Sequence, residues 1–215
     1  MWKNQKKTII FTTILCLLPI VAGIIFWNQL PEQVAIHFNS AGEPDNFAPK
    51  ALAVLGLPVF LAVIHLFCLF MTDKDPKRQN ISAASKMLVL WVCPFISWLG
   101  MSMTIGFALE AVGNITPIVS VCLGILFMVI GNYLPKCLPS YTVGIKLPWT
   151  LHDEGNWRYT HRIGGFCFTF AGLIVLIGGI LGFIWTILPA LAVAAIVPTV
   201  ASYLYYKKHS EGTQE

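Results

Sequence analysis

The sequence predicts an all-α, polytopic membrane protein with six transmembrane helices and both termini in the cytoplasm. Three observations predict it. Only 11% of the residues are charged and 56% are apolar, with a mean hydropathy of +0.72, whereas about a quarter of the residues of a soluble domain are charged. The apolar residues gather into runs of about 20, the length at which a helix crosses the hydrocarbon core of a bilayer. Of the fourteen Lys and Arg, all but Lys50 fall on one side when six spans are threaded through the sequence, the asymmetry that marks cytoplasmic loops. The 215 residues divide into these spans and their connections, so residues 1–215 are expected to form a single membrane domain. The net charge of +4 is explained by this loop bias, and no direct nucleic-acid contact is expected.

The first span is expected from Thr8 to Trp27. Lysines precede it as in a secretory signal, but the run exceeds the 7–15 residues of a signal's apolar core and ends in IIFWNQLP, without a small-x-small cleavage site. It reads as a retained anchor, with Pro19 free to kink it where a neighbouring helix takes up the released carbonyl. Residues 28–50 form an outward loop carrying Glu32, Glu43 and Asp45. Within it PEQVAIHFN alternates like a short extended piece, and NSAGEPDNF is dense in turn residues.

The second span covers 51–71, a charged cytoplasmic loop 72–85, the third span 86–110 and the fourth 117–134. The link AVGNIT is short enough to make the third and fourth an antiparallel hairpin. After a cytoplasmic segment at 135–162, the fifth span covers 163–184 and the sixth 187–206. Gly178 and Gly182 form a GxxxG in the fifth span, suited to internal packing or to dimerisation. The six cysteines are scattered, without paired or zinc-type spacing, and read as buried, inert thiols.

The chemically richest stretch is Gly131 to Arg162, GNYLPKCLPSYTVGIKLPWTLHDEGNWRYTHR. Connectors between membrane helices are usually short and built of small polar residues, yet this one holds three prolines, two tryptophans and two histidines. Trp149, Trp157 and Tyr159 suit interfacial anchors. Thr150 followed by Asp153 is an S/T-x-x-D pattern that caps a short helix through Trp157. Such a helix presents Trp157 and His161 on one face, as a re-entrant or surface-lying element after a stiff proline turn. His152, Asp153, Glu154 and His161 are the residue types of metal or acid–base chemistry, but the two histidines stand nine apart, unlike the stacked ligands of HExxH. No metal or other cofactor is expected. His65 is the only ionisable residue deep within a span; a neutral imidazole hydrogen-bonded to a neighbouring helix accounts for it, and a transport role is the alternative.

GN-x-L-P-K followed by GIKLPWTL, an acid, Trp157 and THR resembles the signature of the SdpI family of bacterial membrane proteins. The outward LPEQVAIHFNSAGEPDNF resembles the N-terminal module that often accompanies it. The resemblance marks Asn132, Pro135, Gly144, Lys146, Pro148, Trp149, Thr150, Trp157, Thr160, His161 and Arg162 on the inward side, and His37 and Asp45 on the outward side, as binding residues with no catalytic set. Lys146 stands where the family usually has Arg, Leu147 where it has Thr and Ser140 where it has Asn; a lysine cannot make the forked contact of a guanidinium.

The resemblance implies a non-enzymatic immunity protein of the bacterial plasma membrane, embedded in membrane lipid. It would protect against a secreted peptide toxin met on the outward face. Some members hold a small DNA-binding repressor at the cytoplasmic face once toxin is sensed. The competing class is a small transporter or membrane enzyme that uses the 131–162 segment as its site.

Overall fold

A computed structural model describes residues 2–39 and 42–211. Six helical segments are long and apolar enough to cross a membrane, and the β structure among the described residues is one two-stranded sheet. The protein is an all-α, multi-pass membrane protein. Its contacts group into two compact units, Met1–Asp73 with Met87–Val119, and Lys74–Lys86 with Ser120–Glu215.

In the first unit the opening span is two helices in line, α1 (Lys6–Leu17) and α2 (Pro19–Ile25). The break falls at Pro19 because proline has no N–H to give the carbonyl four residues back. That carbonyl belongs to Leu15, and it accepts instead from Trp98 Nε1 at 3.1 Å. One residue on, Cys16 O accepts from Ser97 Oγ at 2.7 Å. Gly23 lies so close to the next helix that a Cβ there would come within 2.4 Å of Val54 Cγ1.

Between α2 and the second span the chain forms a hairpin of β1 (Gln33–Phe38) and β2 (Pro44–Pro49). The turn-rich composition of PDNFAP hides this second strand, whose prolines are tolerated because they stand at its two ends. The pairing is irregular between Ala35 and Phe38, and Val34 and Ala48 point into the unit's core with Leu30 and Val54.

Helix α3 (Lys50–Asp73) carries Pro58 inside it, and α4 (Ala83–Ala108) carries Pro94. His65 on α3 is fully buried and shares a 3.0 Å hydrogen bond between its Nε2 and Thr12 Oγ1 of α1, the interhelical bond expected of a lone intramembrane imidazole.

The second unit contains most of α5 (Thr116–Tyr133), the short α6 (Pro148–His152), and the long antiparallel pair α7 (Glu154–Ile180) and α8 (Ile187–Glu211). Ala171, Val175, Ala190 and Ala194 form the α7–α8 core. Three glycines seven apart, Gly165, Gly172 and Gly179, set the packing of α7 on α5. A Cβ on Gly172 would lie 2.5 Å from Gly124 O, one on Gly165 would lie 2.9 Å from Gly131 O, and one on Gly179 would lie 2.3 Å from Ser120 Cβ. Backbone therefore meets backbone over two turns and more, as small residues permit in membranes.

The GxxxG at Gly178 and Gly182 is not part of this seam. Gly178 faces Thr186 in the same hairpin, and Gly182 lies beyond the end of α7 with φ +81°, where it makes the turn into α8. The fifth span also begins at Glu154 rather than near 163, so Trp157 and His161 stand in the first turns of a transmembrane helix and not on a separate surface element. Asp153 starts that helix: its side chain accepts from Gly155 N. Thr150 is thus not the cap of that helix; it is the third residue of the preceding short helix, where its side chain accepts from Leu147 N.

Candidate functional site

The segment between α5 and α7 is folded around a buried carboxylate supplied by another loop. Asp75 is only 3% exposed. Its Oδ2 accepts from Tyr141 N and Thr142 N, both at 2.9 Å, and from Thr142 Oγ1 at 2.7 Å. Its Oδ1 accepts from Lys77 N at 2.8 Å, a local Asx turn across Asp-Pro. Two further ties join the same loops: Asn80 Nδ2 donates to Pro139 O and Lys77 Nζ to Leu151 O. A carboxylate with four donors is well compensated for burial. Beside it, Ser140 Oγ accepts from Val143 N and donates to Val143 O. Burial pushes the nearby Cys137 thiol up, against a smaller downward pull from its hydrogen bond to Ser85.

The chain then turns through Gly144 at φ +120°, a conformation that side chains resist. A Cβ here would sit 2.4 Å from His161 Nε2 and 2.9 Å from the Trp157 ring. Trp157 and His161 are both fully buried and stacked, with ring centroids 4.0 Å apart. Trp157 Nε1 donates to Cys137 O at 2.8 Å. His161 Nδ1 faces the carbonyl of Trp157 at 2.8 Å and so carries the proton; Nε2 is left to accept from Ile145 N at 2.9 Å. Both ring nitrogens are thereby spent on backbone, and the imidazole is a neutral strut holding the GIKLP turn to α7. Trp157, read above as an interfacial anchor or a gripping group, is a core residue.

Beyond the turn, Thr150 is buried, and its Oγ accepts from Leu147 N while donating to the Leu147 and Ile145 carbonyls. Trp149 reaches across to α8, donating to Ser202 Oγ at 2.8 Å and packing against Tyr203 and Tyr206. Ser202 Oγ in turn donates to Asn156 Oδ1, which also accepts from Thr160 Oγ, and Asn156 Nδ2 donates to Ser202 O. Asn156, Thr160 and Ser202 are all fully buried, so a polar chain with its hydrogen bonds made pins α6 and the start of α7 to α8.

Trp149, Thr150, Trp157, Thr160, His161 and Gly144 therefore come together as one interlocked body within the second unit. Asn132, Pro135, Lys146, Pro148 and Arg162 lie on its exposed surface, where Lys146 Nζ reaches only Thr142 O at 3.3 Å. His37 and Asp45 are in the first unit, both exposed, hydrogen-bonded to each other across the hairpin through Nδ1 and Oδ1.

The residues of the HDEG stretch do not converge. His152 Nδ1 turns to Pro148 O, Asp153 caps α7, and His161 is enclosed; among the described residues no group of three or more His, Cys, Asp or Glu is placed to hold a metal ion. Asp75, Asn156 and Ser202 are the members that sequence reading passes over. Asp-Pro signals Asp75's own turn but not the distant N–H groups it holds. Asn156 and Ser202 look like ordinary polar residues at a helix end.

Comparison with known proteins bears on this body directly. Residues 136–202, from the end of α5 through most of α8, match the model of the SdpI/YfhL protein family. Residues 14–62, with the hairpin at their centre, match a domain of unknown function, DUF1648. The chain is similar to the immunity protein SdpI of Bacillus subtilis (strain 168), with 29% identity over 212 residues, which is 95% of this chain and 98% of that protein. No solved structure matches. With the interlocked segment inside the family match and a relative aligned nearly end to end, the chain is similar to the SdpI family over nearly its whole length.

Proposed function

We propose that this chain is an immunity protein of the bacterial plasma membrane that protects the producing cell against a secreted peptide toxin. The observation that carries the reading is the similarity to an immunity protein across 95% of this chain and 98% of that one, which takes in every span as well as both motif regions. The outward hairpin, with the exposed His37–Asp45 pair at its rim, is suited to meeting the toxin. The inward 131–162 body is suited to holding a small DNA-binding repressor, because its fold is locked by buried groups while Lys146 and Pro148 remain exposed for a partner. Commitment of both His161 nitrogens to backbone favours this recognition role over chemistry on that histidine.

The test is survival of a toxin-sensitive host expressing the chain, alongside a host expressing His37→Ala with Asp45→Ala at equal membrane abundance. Protection by the native chain and its loss in the double variant are expected. Sensitivity of both hosts alike would overturn the immunity reading. An Asn46→Cys variant labelled only after lysis by an impermeant thiol reagent would overturn the outward placement of the hairpin.

A further inference from the structure

The surface of the α7–α8 pair carries a groove of about 480 Å³ walled by Phe166, Phe170, Ile174, Trp185, Pro189 and Val193, with scarcely a polar atom in it. Phe166, Phe170 and Trp185 are about two-thirds exposed, at 70%, 67% and 66%, so their rings stand as walls and not as core. The groove lies within two transmembrane segments, where the medium is lipid.

Charge lies at one end of it. Arg162 precedes Phe166 by four residues on α7 and Arg158 precedes Arg162 by four, so the two arginines and the phenylalanine share one side of the helix. Both arginines are exposed; Arg158 spends its Nε on a long 3.4 Å bond to the Glu154 carbonyl. Glu154, a turn further out, is the acid on this stripe, and Tyr159, 41% exposed, lies off it, packed on Tyr205. The α7 wall of the groove begins at Phe166, one turn beyond Arg162, and runs to Ile174, about 12 Å at ~1.5 Å per residue, so an acyl chain anchored at the arginines enters it directly.

We propose that the groove holds an acyl chain of a single anionic phospholipid whose phosphate is bound by Arg162 and Arg158. Two guanidiniums on one stripe match a phosphate, and they favour a headgroup without a cation of its own.

The experiment is native mass spectrometry of the full chain released from detergent micelles containing either dioleoylphosphatidylglycerol or dioleoylphosphatidylcholine. The native chain should retain one phosphatidylglycerol at least about tenfold more than phosphatidylcholine. Arg158→Gln with Arg162→Gln should bring phosphatidylglycerol down to the phosphatidylcholine level. Val193→Trp, at a half-exposed position, should fill the groove and lower phosphatidylglycerol retention at least fivefold with both arginines intact. Lys146→Gln should leave retention unchanged. Equal retention of the two lipids by the native chain, retention undisturbed by Val193→Trp, or a loss with Lys146→Gln equal to that with the arginine pair would each overturn the proposal.

Discussion

Asp75 holds Thr142 twice, accepting from its backbone N–H at 2.9 Å and from its hydroxyl at 2.7 Å through the same oxygen. The two residues are 67 positions apart, on two separate loops of one unit. Without that carboxylate, Tyr141 N and both Thr142 donors would be left in a poorly hydrated turn, at about 1–3 kcal/mol for each buried donor left unmade. Asp75→Ala is therefore expected to lower stability by several kcal/mol and to open the segment between Lys136 and His152 to protease in detergent. Asp75→Asn keeps one acceptor oxygen and should lose less. Equal protease resistance of the native chain and the alanine variant would show that the carboxylate is not what holds the turn.

The Gly144–His161 contact is an independent lock. Gly144→Ala combines an unfavourable φ of +120° with a Cβ 2.4 Å from the imidazole, and both effects act in the same direction. It should destabilise by more than 1 kcal/mol. His161→Phe preserves the stack on Trp157 but strands Ile145 N, and should cost about 1–3 kcal/mol. Thermal melts in detergent followed by circular dichroism check both. Modification of His161 by diethylpyrocarbonate should be slow until the fold opens; rapid modification in the folded protein would contradict an imidazole with both nitrogens bonded.

The glycine seam separates two readings of the fifth span. Gly172→Ala puts a methyl 2.5 Å from Gly124 O and 2.8 Å from Met128 N, both backbone atoms that cannot step aside, so the helices must separate. In Gly178→Ala the three atoms nearest the new Cβ all belong to the Thr186 side chain, the closest at 2.3 Å, and a side chain at the hairpin turn can shift where packed helix backbone cannot. The first variant is expected to lower the melting temperature and yield in membranes sharply, and the second slightly. The opposite order would return the GxxxG pair to a packing role.

Some of this is legible in the sequence. The number of spans and the loop that breaks their monotony follow from runs of apolar residues, and the helix break at Pro19 follows from a missing N–H. These are local properties, in which neighbouring residues decide the outcome whatever the rest of the chain does. The β2 strand was hidden by its prolines. The early start of α7 was hidden because EGNWRYTHR reads as a polar connector, although its Trp157, Thr160 and His161 face inward and its Arg158 and Arg162 outward.

Apolar runs alone specify a six-span membrane protein with one elaborate segment late in the chain, because transfer of apolar side chains from water to lipid is a sum over neighbours. The use of each polar residue in that segment is set by long-range packing. Trp157 and His161 became core struts, Lys146 and Arg162 remained at the surface, and Asp75, Asn156 and Ser202 became the anchors. The physical reason is that a buried polar group is stable only with a partner, and here the partners lie as much as 67 residues away, where no local pattern can name them.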